Sequence, residues 1–257
     1  MDVRKMIPEY REYPASAALA PWVACYWTRA AFAFNEPYVQ RVLPDGCADV
    51  IFDLQAAAFA VGTMTTTLLL REHTAPELLG VRFRPGRAYP FFRMPLSEVT
   101  DQRVDLLEMW GRDARAIAER IAIESTTERR IAVIEAALLH QSAEVRGDDP
   151  RVDAAVAWIV RSAGRVSIER VANEIGISRQ HLSRRFLQHV GVTPKTFARV
   201  MRFESLVREA RARGTHDWSA LALDFGYFDQ AHLIAEFREL AGITPVPFFQ
   251  SSEIVSP

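Results

Sequence analysis

The stretch HLSRRFLQHVGVTP, which begins at His181, returns as HLIAEFRELAGITP from His232. Without a gap, His181, Leu182, Phe186, Gly191, Thr193, Pro194 and Phe197 match His232, Leu233, Phe237, Gly242, Thr244, Pro245 and Phe248, at a constant offset of 51 residues. A repeat of this kind means that one supersecondary unit is built twice. Each copy reads as helix, glycine turn, helix. In the first, SIERVANEIGIS starts a helix after Ser167 with Val171, Ala172 and Ile175 on its apolar face. Gly176 then supplies the left-handed turn, and Ser178 caps a second helix. In the second copy Ala222, Gly226 and Asp229 take the matching places, with a turn one residue longer. The small Ala172, four residues before Gly176, allows the two helices to approach closely. Thr193-Pro194 opens a further helix through KTFARVMRFESLVREARAR to Gly214, long enough to join the two units rigidly.

Charge separates the copies. The chain carries a net charge of −1, yet residues 161–213 hold 12 Lys and Arg against 4 Asp and Glu, whereas residues 214–250 hold 1 against 5. Basic clustering on a helical segment is the footprint of a nucleic-acid binder. Within each second helix the matched Leu and Phe, at i and i+4, point to the core and the residues between them face out. In the first copy the outward set includes Arg179, Gln180, Ser183 and Arg184, side chains able to read base edges in the major groove. Arg paired bidentately with guanine is the commonest specific contact, which singles out Arg184, one turn into the helix. Lys195 and Arg199 are placed to meet phosphate, while Arg202 suits a phosphate contact or a structural one equally. The second copy presents Gln230, Ala231, Ile234, Ala235 and Glu236. Gln230 can read adenine, but Glu236 repels phosphate unless it faces away. His181 and His232 occupy matching places, which points to a shared structural or phosphate-contacting role rather than to catalysis.

These motifs, namely IERVANEIGISRQHLSRRF, the helix after GVTPKTF with Arg202, and ALALDFGYFDQAHLIAEFRELAGITPVPFF, make residues 151–250 resemble the DNA-binding domain of the AraC/XylS family of bacterial transcription regulators. The resemblance implies an effector-responsive activator that inserts two helix-turn-helix units into successive major-groove segments of double-stranded DNA and contacts RNA polymerase. It implies base contacts from Arg179, Gln180, Ser183 and Arg184 in the first unit and from Gln230 and Ala231 in the second. Many members carry a basic residue late in the second recognition helix where this chain has Ala235, so the first unit is expected to supply most of the affinity. The competing reading is a regulator that acts mainly through protein–protein contacts, with the acidic second unit as the docking surface and DNA bound weakly.

The first half has a different texture. YVQRVLP (38–44), ADVIFDL (48–54), AFAVG (58–62) and LLGVRFRPG (78–86) are short apolar or alternating runs bounded by Pro, Gly and Asp, the pattern of strands. In the last of them Val81 and Phe83 share one face, and Arg82 and Arg84 the other. Residues 105–143 read as helices; Ser125 and Glu128 fit a capping box, followed by an Ile131, Ile134 and Leu138 stripe that suits either the sheet or a homodimer seam. The expected architecture is an α+β N-terminal domain, a small antiparallel sheet plus helices that resembles a cupin-like domain, followed by an all-α double helix-turn-helix domain. The boundaries fall at 1–140 for a sensor or dimerisation domain, 141–150 for a linker, 151–250 for the DNA-binding domain and 251–257 for a tail.

The N-terminal half resembles, less specifically, the cupin-like sensor domains attached to this family, which implies an unidentified small-molecule effector. Trp22, Tyr26 and Trp27 read as core aromatics; alternatively Trp27, Arg82 and Arg84 line an effector pocket, where inward arginines favour an anionic ligand. A catalytic metal is not expected, since His73 is the sole histidine in residues 1–139 and no H-x-H pair occurs. Nor is any cofactor or enzyme activity. Cys25 and Cys47 are too few for a disulfide scaffold or a four-thiolate zinc site, and read as inert thiols. No apolar run approaches the ~20 residues that span a bilayer, and MDVRKMIPEYREYP lacks a signal-peptide core, so a cytoplasmic protein with no membrane partner is expected.

Overall fold

The two-residue period of extended backbone divides the side chains of VACYWTR, ADVIFD and LLGVRF between two faces of one sheet. The computed structural model describes residues 9–144, 149–214, 217–251 and 254–256, and within them the strands are β1 (Tyr10–Tyr13), β2 (Val23–Arg29), β3 (Phe32–Val42), β4 (Ala48–Asp53), β5 (Phe59–Val61), β6 (Leu68–Ala75), β7 (Leu78–Phe83), β8 (Arg103–Asp105) and β9 (Ile254–Ser256). They form a six-stranded sheet ordered β1-β2-β7-β4-β5-β8 and a three-stranded sheet ordered β6-β3-β9. The six-stranded sheet is antiparallel throughout, with a register shift between Val23 and Cys25. The runs expected to be strands at 38–44, 48–54, 58–62 and 78–86 lie on β3, β4, β5 and β7. The aromatic PWVACYWTRA segment, expected to supply core aromatics or the wall of an effector pocket, is the inner strand β2: its bulky and β-branched residues pack on both faces of the sheet at once. Part of the stretch taken as a tail pairs in parallel with β3, Gln40 lying beside Ile254.

One face of the large sheet is covered by helices. Tyr26, Val50, Phe52, Leu79, Val81 and Phe83 pack against α1 (Tyr89–Phe92), α2 (Leu106–Trp110), α3 (Arg112–Ile123) and α4 (Thr127–Glu144). The Ile131, Ile134 and Leu138 stripe is buried in this core, which answers the choice between sheet packing and a dimer seam in favour of packing. The cap of α4 is Thr126, whose hydroxyl accepts from Arg129 N at 3.3 Å, rather than Ser125. Helix α4 also runs on through residues assigned to the linker. The opposite face carries Cys25, Trp27, Ile51 and Leu78 together with Arg82 and Asp49.

The remaining helices, α5 (Pro150–Arg161), α6 (Ile168–Glu174), α7 (Arg179–Val190), α8 (Pro194–Arg213), α9 (Trp218–Asp224), α10 (Gln230–Ala241) and α11 (Pro245–Gln250), enclose a second core. Leu43 from the end of β3 belongs to that core, so the two regions are packed together. Arg87 pairs with Asp153 at 2.6 Å, and the Tyr89 ring lies 4.0 Å from that of His189. Among the described residues no helix is long and apolar enough to cross a membrane.

Gly80 is demanded by contact rather than by backbone angle. A Cβ there would lie 2.0 Å from the Trp27 indole, which crosses the strand to donate to Asp49 Oδ1 at 2.8 Å. Gly80→Ala is expected to displace the indole and to cost about 1–3 kcal/mol, the usual effect of overpacking. Chemical denaturation together with near-ultraviolet circular dichroism would check it; an unchanged midpoint would contradict this account.

Candidate nucleic-acid interface

The first helix-turn-helix unit is assembled by caps. Ser167 Oγ accepts from Arg170 N at 3.4 Å to open α6, and Ser178 Oγ accepts from His181 N at 3.2 Å to open α7. Between them Gly176 takes φ +71°, as Gly226 does at the matching point of the second unit. Leu182, Phe186 and Val190 are buried on the inner face of α7, where the Phe186 ring meets Phe197 edge to face at 5.5 Å. Arg179, Gln180, His181 and Arg184 are left exposed on the outer face, with Ser183 half-buried beside them. Arg184 and His181 border an open depression of about 460 Å³ shared with Arg151 and Arg185.

The next arginine has another task. Arg185 turns back, its Nε donating to Asp149 Oδ2 at 2.7 Å and its Nη1 to Gln188 Oε1 at 3.4 Å. Asp149 also caps α5, accepting from Arg151 N and Val152 N. Burial pushes the Asp149 carboxyl upward, but the hydrogen bonds from Arg185 and the two backbone N–H groups outweigh it and hold the carboxyl below its ordinary value.

Lys195 is exposed in the first turn of α8, as a phosphate-contacting residue would be. Arg199 is not so placed. Its Nε donates to Glu236 Oε2 at 2.8 Å and its Nη2 to Glu239, so the phosphate expectation gives way to an ion pair within the protein. Arg202 resolves to the structural alternative: it donates to Glu236 Oε1 at 2.7 Å and lies over the Tyr227 ring at 4.5 Å. Glu236, expected on the outer surface, is 5% exposed. It faces inward because it sits three residues after Leu233 and four before Leu240, on the apolar side of α10, where only two guanidiniums make a carboxylate tolerable.

The second unit repeats the capping scheme. Asp217 accepts from Ser219 N and Ala220 N to open α9, and Asp229 Oδ1 accepts from His232 N at 2.7 Å to open α10. His232 Nδ1 accepts from Phe228 N at 3.2 Å, a structural role for one of the paired histidines. Gln230, Ala231 and Ala235 are exposed; Gln230 Oε1 accepts from Ser219 Oγ at 2.8 Å. Phe228, which sequence reasoning passed over, is 88% exposed beside them. The signal was present in GYFD, where one aromatic must cover the core and the next has nowhere to go.

The three residues named for an effector do not converge. Trp27 and Arg82 share the polar face of the large sheet, whereas Arg84 lies beyond the end of β7 and donates to Ala20 O at 2.7 Å. Arg82 stands between Asp45 at 3.8 Å and Asp49 at 3.5 Å, so two carboxylates surround this guanidinium and remove the ground for expecting an anionic ligand at it. Burial pushes the Cys25 thiol up to about 11 and raises Cys47 well above its ordinary value, which keeps both protonated and poorly nucleophilic near neutral pH. Among the described residues no group of three or more His, Cys, Asp or Glu side chains could hold a metal ion.

Residues 171–251 match the family model described as a helix-turn-helix domain, and residues 11–105 match one described as a domain of unknown function, DUF6597. No curated protein matches the chain. Among solved structures, a transcriptional regulator from Chromobacterium violaceum, described as AraC-type DNA-binding domain-containing, is 24% identical over 37% of this chain and 86% of its own, with a TM-score of 0.34. ToxT from Vibrio cholerae is 9% identical over 95% of this chain and 94% of its own, with a TM-score of 0.42. The xylose-binding transcription activator xylR is 20% identical over 49% of this chain and 40% of its own, with a TM-score of 0.35.

Two outcomes follow from the ion pairs. Glu236→Ala takes from Arg202 its buried carboxylate and leaves Arg199 with Glu239 alone, and is expected to cost about 3 kcal/mol in urea unfolding; a loss below about 0.5 kcal/mol, typical of a surface pair, would refute the buried-anchor role. Because Asp149 has its carboxyl pKa depressed by folding, its contribution is present above the unfolded value of about 3.9 and disappears as pH falls through the lower folded value. The stability gap between the wild type and Asp149→Ala is therefore expected to be about 1 kcal/mol at pH 7 and to narrow as pH falls below about 3.9. A gap independent of pH would count against it.

Proposed function

We propose that this chain, whose residues 171–251 match a helix-turn-helix domain, is a sequence-specific DNA-binding transcription regulator of the AraC type with two unequal reading units. The observation that carries this reading is the outer face of α7, where Arg179, Gln180 and Arg184 stand exposed at the capped start of the helix while Arg185 is drawn off to Asp149. Forked and amide donors at the start of such a helix suit base edges in the major groove, and Lys195 suits a neighbouring phosphate. Arg199 is left out of the contact set because Glu236 and Glu239 hold it. The second unit offers Gln230 and Ala231 without an exposed cation early in α10, so it adds orientation and modest selectivity rather than affinity. The N-terminal region acts as an effector-responsive sensor in this reading, with Trp27 and Arg82 on its polar sheet face. The regulator then works as an activator by contact with RNA polymerase.

A second reading has its own support. Leu223 and Phe228 are 74% and 88% exposed on the second unit, whose sequence is acidic, and such a surface suits a partner protein. Capture of a stable partner without DNA, combined with weak, salt-insensitive duplex binding, would favour it.

Selection of the full-length protein on random duplex DNA near physiological salt tests the first reading. The expected product is a consensus of two unequal segments about 10 base pairs apart, one helical turn. No enrichment from the full chain or from residues 145–257 would overturn it. On that consensus Arg184→Ala is expected to lose about 1–3 kcal/mol of specific binding and Gln230→Ala distinctly less. Lys195→Ala should weaken all duplexes alike and flatten the salt dependence by about one phosphate contact. Equal losses from Arg184→Ala and Gln230→Ala in a salt-controlled titration would refute the inequality of the two units.

A further inference from the structure

The last turn of an α-helix leaves carbonyls without intrahelical partners. In both recognition helices those carbonyls are taken up by the N-terminal region. At the end of α7, Thr63 Oγ1 donates to Val190 O at 2.8 Å and Thr100 Oγ1 donates to Gly191 O at 2.7 Å. At the end of α10, Thr67 donates to Leu240 O from its hydroxyl at 2.7 Å and from its backbone N–H at 3.0 Å, while Arg41 Nη1 donates to Ala241 O at 2.6 Å. With the repeat offset of 51 residues, Val190 and Ala241 are equivalent positions. The N-terminal region thus holds the two units at the same point of each.

The grip is built rather than incidental. Thr63 and Thr67 sit on one short segment between β5 and β6, so a single loop reaches both helix ends. That loop is braced by Asp101, whose carboxylate accepts from Thr65 N at 2.7 Å and Thr65 Oγ1 at 2.6 Å, and whose N–H donates to Thr63 O at 3.2 Å. Thr63, Arg41 and the four residues at the gripped ends are buried, so these bonds do not compete with bulk water. Arg41 also brings positive charge to the negative end of the α10 dipole.

We propose that Thr63, Thr100, Thr67 and Arg41 are positioning residues that fix the spacing and relative tilt of the two recognition helices, so that the N-terminal region sets which half-site spacing the protein accepts. The base-facing residues lie at the opposite ends of α7 and α10 from the grip. A helix of 12 residues is about 18 Å long, so a tilt of roughly 10° at the gripped end carries the reading end by about 3 Å. Displacement of that size separates a formed base contact from a lost one. The choice of spacing rests on the DNA-binding reading above; the fixing of the helices does not.

The test therefore has two arms on the full-length chain. In the first, without DNA, spin labels at positions 180 and 231 on a Cys25→Ala/Cys47→Ala background report the distance between the starts of the two recognition helices. A narrow distribution is expected for the parent and a broadened one for Thr63→Val/Thr100→Val and for Thr67→Val/Arg41→Met. Thr63→Val alone, which keeps volume and loses one hydroxyl, serves if a double variant unfolds. In the second arm, unlabelled proteins bind duplexes whose half-sites are separated by one base pair more or less than the selected spacing, which turns the second site by about a tenth of a helical turn per base pair. The parent is expected to prefer its own spacing by about tenfold and the variants by less than about threefold. A distribution that stays narrow in every folded variant overturns the proposal, as does a spacing preference that survives broadening. Variants that bind every duplex more tightly also overturn it, since the grip would then be a brake. A parent that binds no duplex refutes the DNA-binding reading, while the distance arm still decides whether the helices are fixed.

Discussion

A carboxylate almost wholly removed from water holds the C-terminal half in register. Glu236 lies on the inner side of α10, and the guanidiniums of Arg199 and Arg202 that compensate its charge both belong to α8. Removing a carboxylate from water is costly, and only close, hydrogen-bonded cations offset that cost. The second recognition helix is therefore tied to the joining helix at Glu236. The same joining helix meets the first recognition helix through Phe197 on Phe186. Orientation of the two units relative to each other thus passes through the first half of α8, by an aromatic contact at Phe197 and ion pairs at Arg199 and Arg202.

That arrangement also explains the uneven charge of the two copies. Part of the positive charge counted in the first block is spent internally: Arg199 and Arg202 on Glu236, Arg185 on Asp149, Arg213 on Glu209 and Asp224. What reaches solvent near the start of α7 is a smaller and more specific set, with Arg179 and Arg184 foremost. The large sheet of the N-terminal region follows a related rule. Its helix-covered face packs Tyr26, Val50, Phe52, Leu79, Val81 and Phe83, while on its other face Arg82 lies between Asp45 and Asp49.

Much of this was legible from residues alone. Ser167, Ser178, Thr193 and Asp229 were read as helix caps because a short side-chain oxygen before an apolar period has few other uses, and each accepts the expected N–H. Val81 and Phe83 opposite Arg82 followed from the two-residue period of a strand. Other features escaped for identifiable reasons. Strand β2 was hidden because it is packed on both faces and so shows no alternation. The inward turn of Glu236 was written in its spacing from Leu233 and Leu240, but charge was given more weight than period. Arg199 and Arg202 look alike in sequence to any phosphate-binding arginine, and only the position of a carboxylate 34 to 37 residues away distinguishes them.

By itself, the sequence determined the local and the repeated: two helix-turn-helix units, their caps and turns, the apolar stripes, and a strand-rich region ahead of them. These depend on interactions within a few residues, where chain geometry leaves little choice. Only the folded chain brings the loop carrying Thr63 and Thr67 to the ends of both recognition helices. Such pairings join residues more than a hundred positions apart. Their energies depend on burial and direction, which no local pattern encodes, and they exist only once two cores have closed against each other.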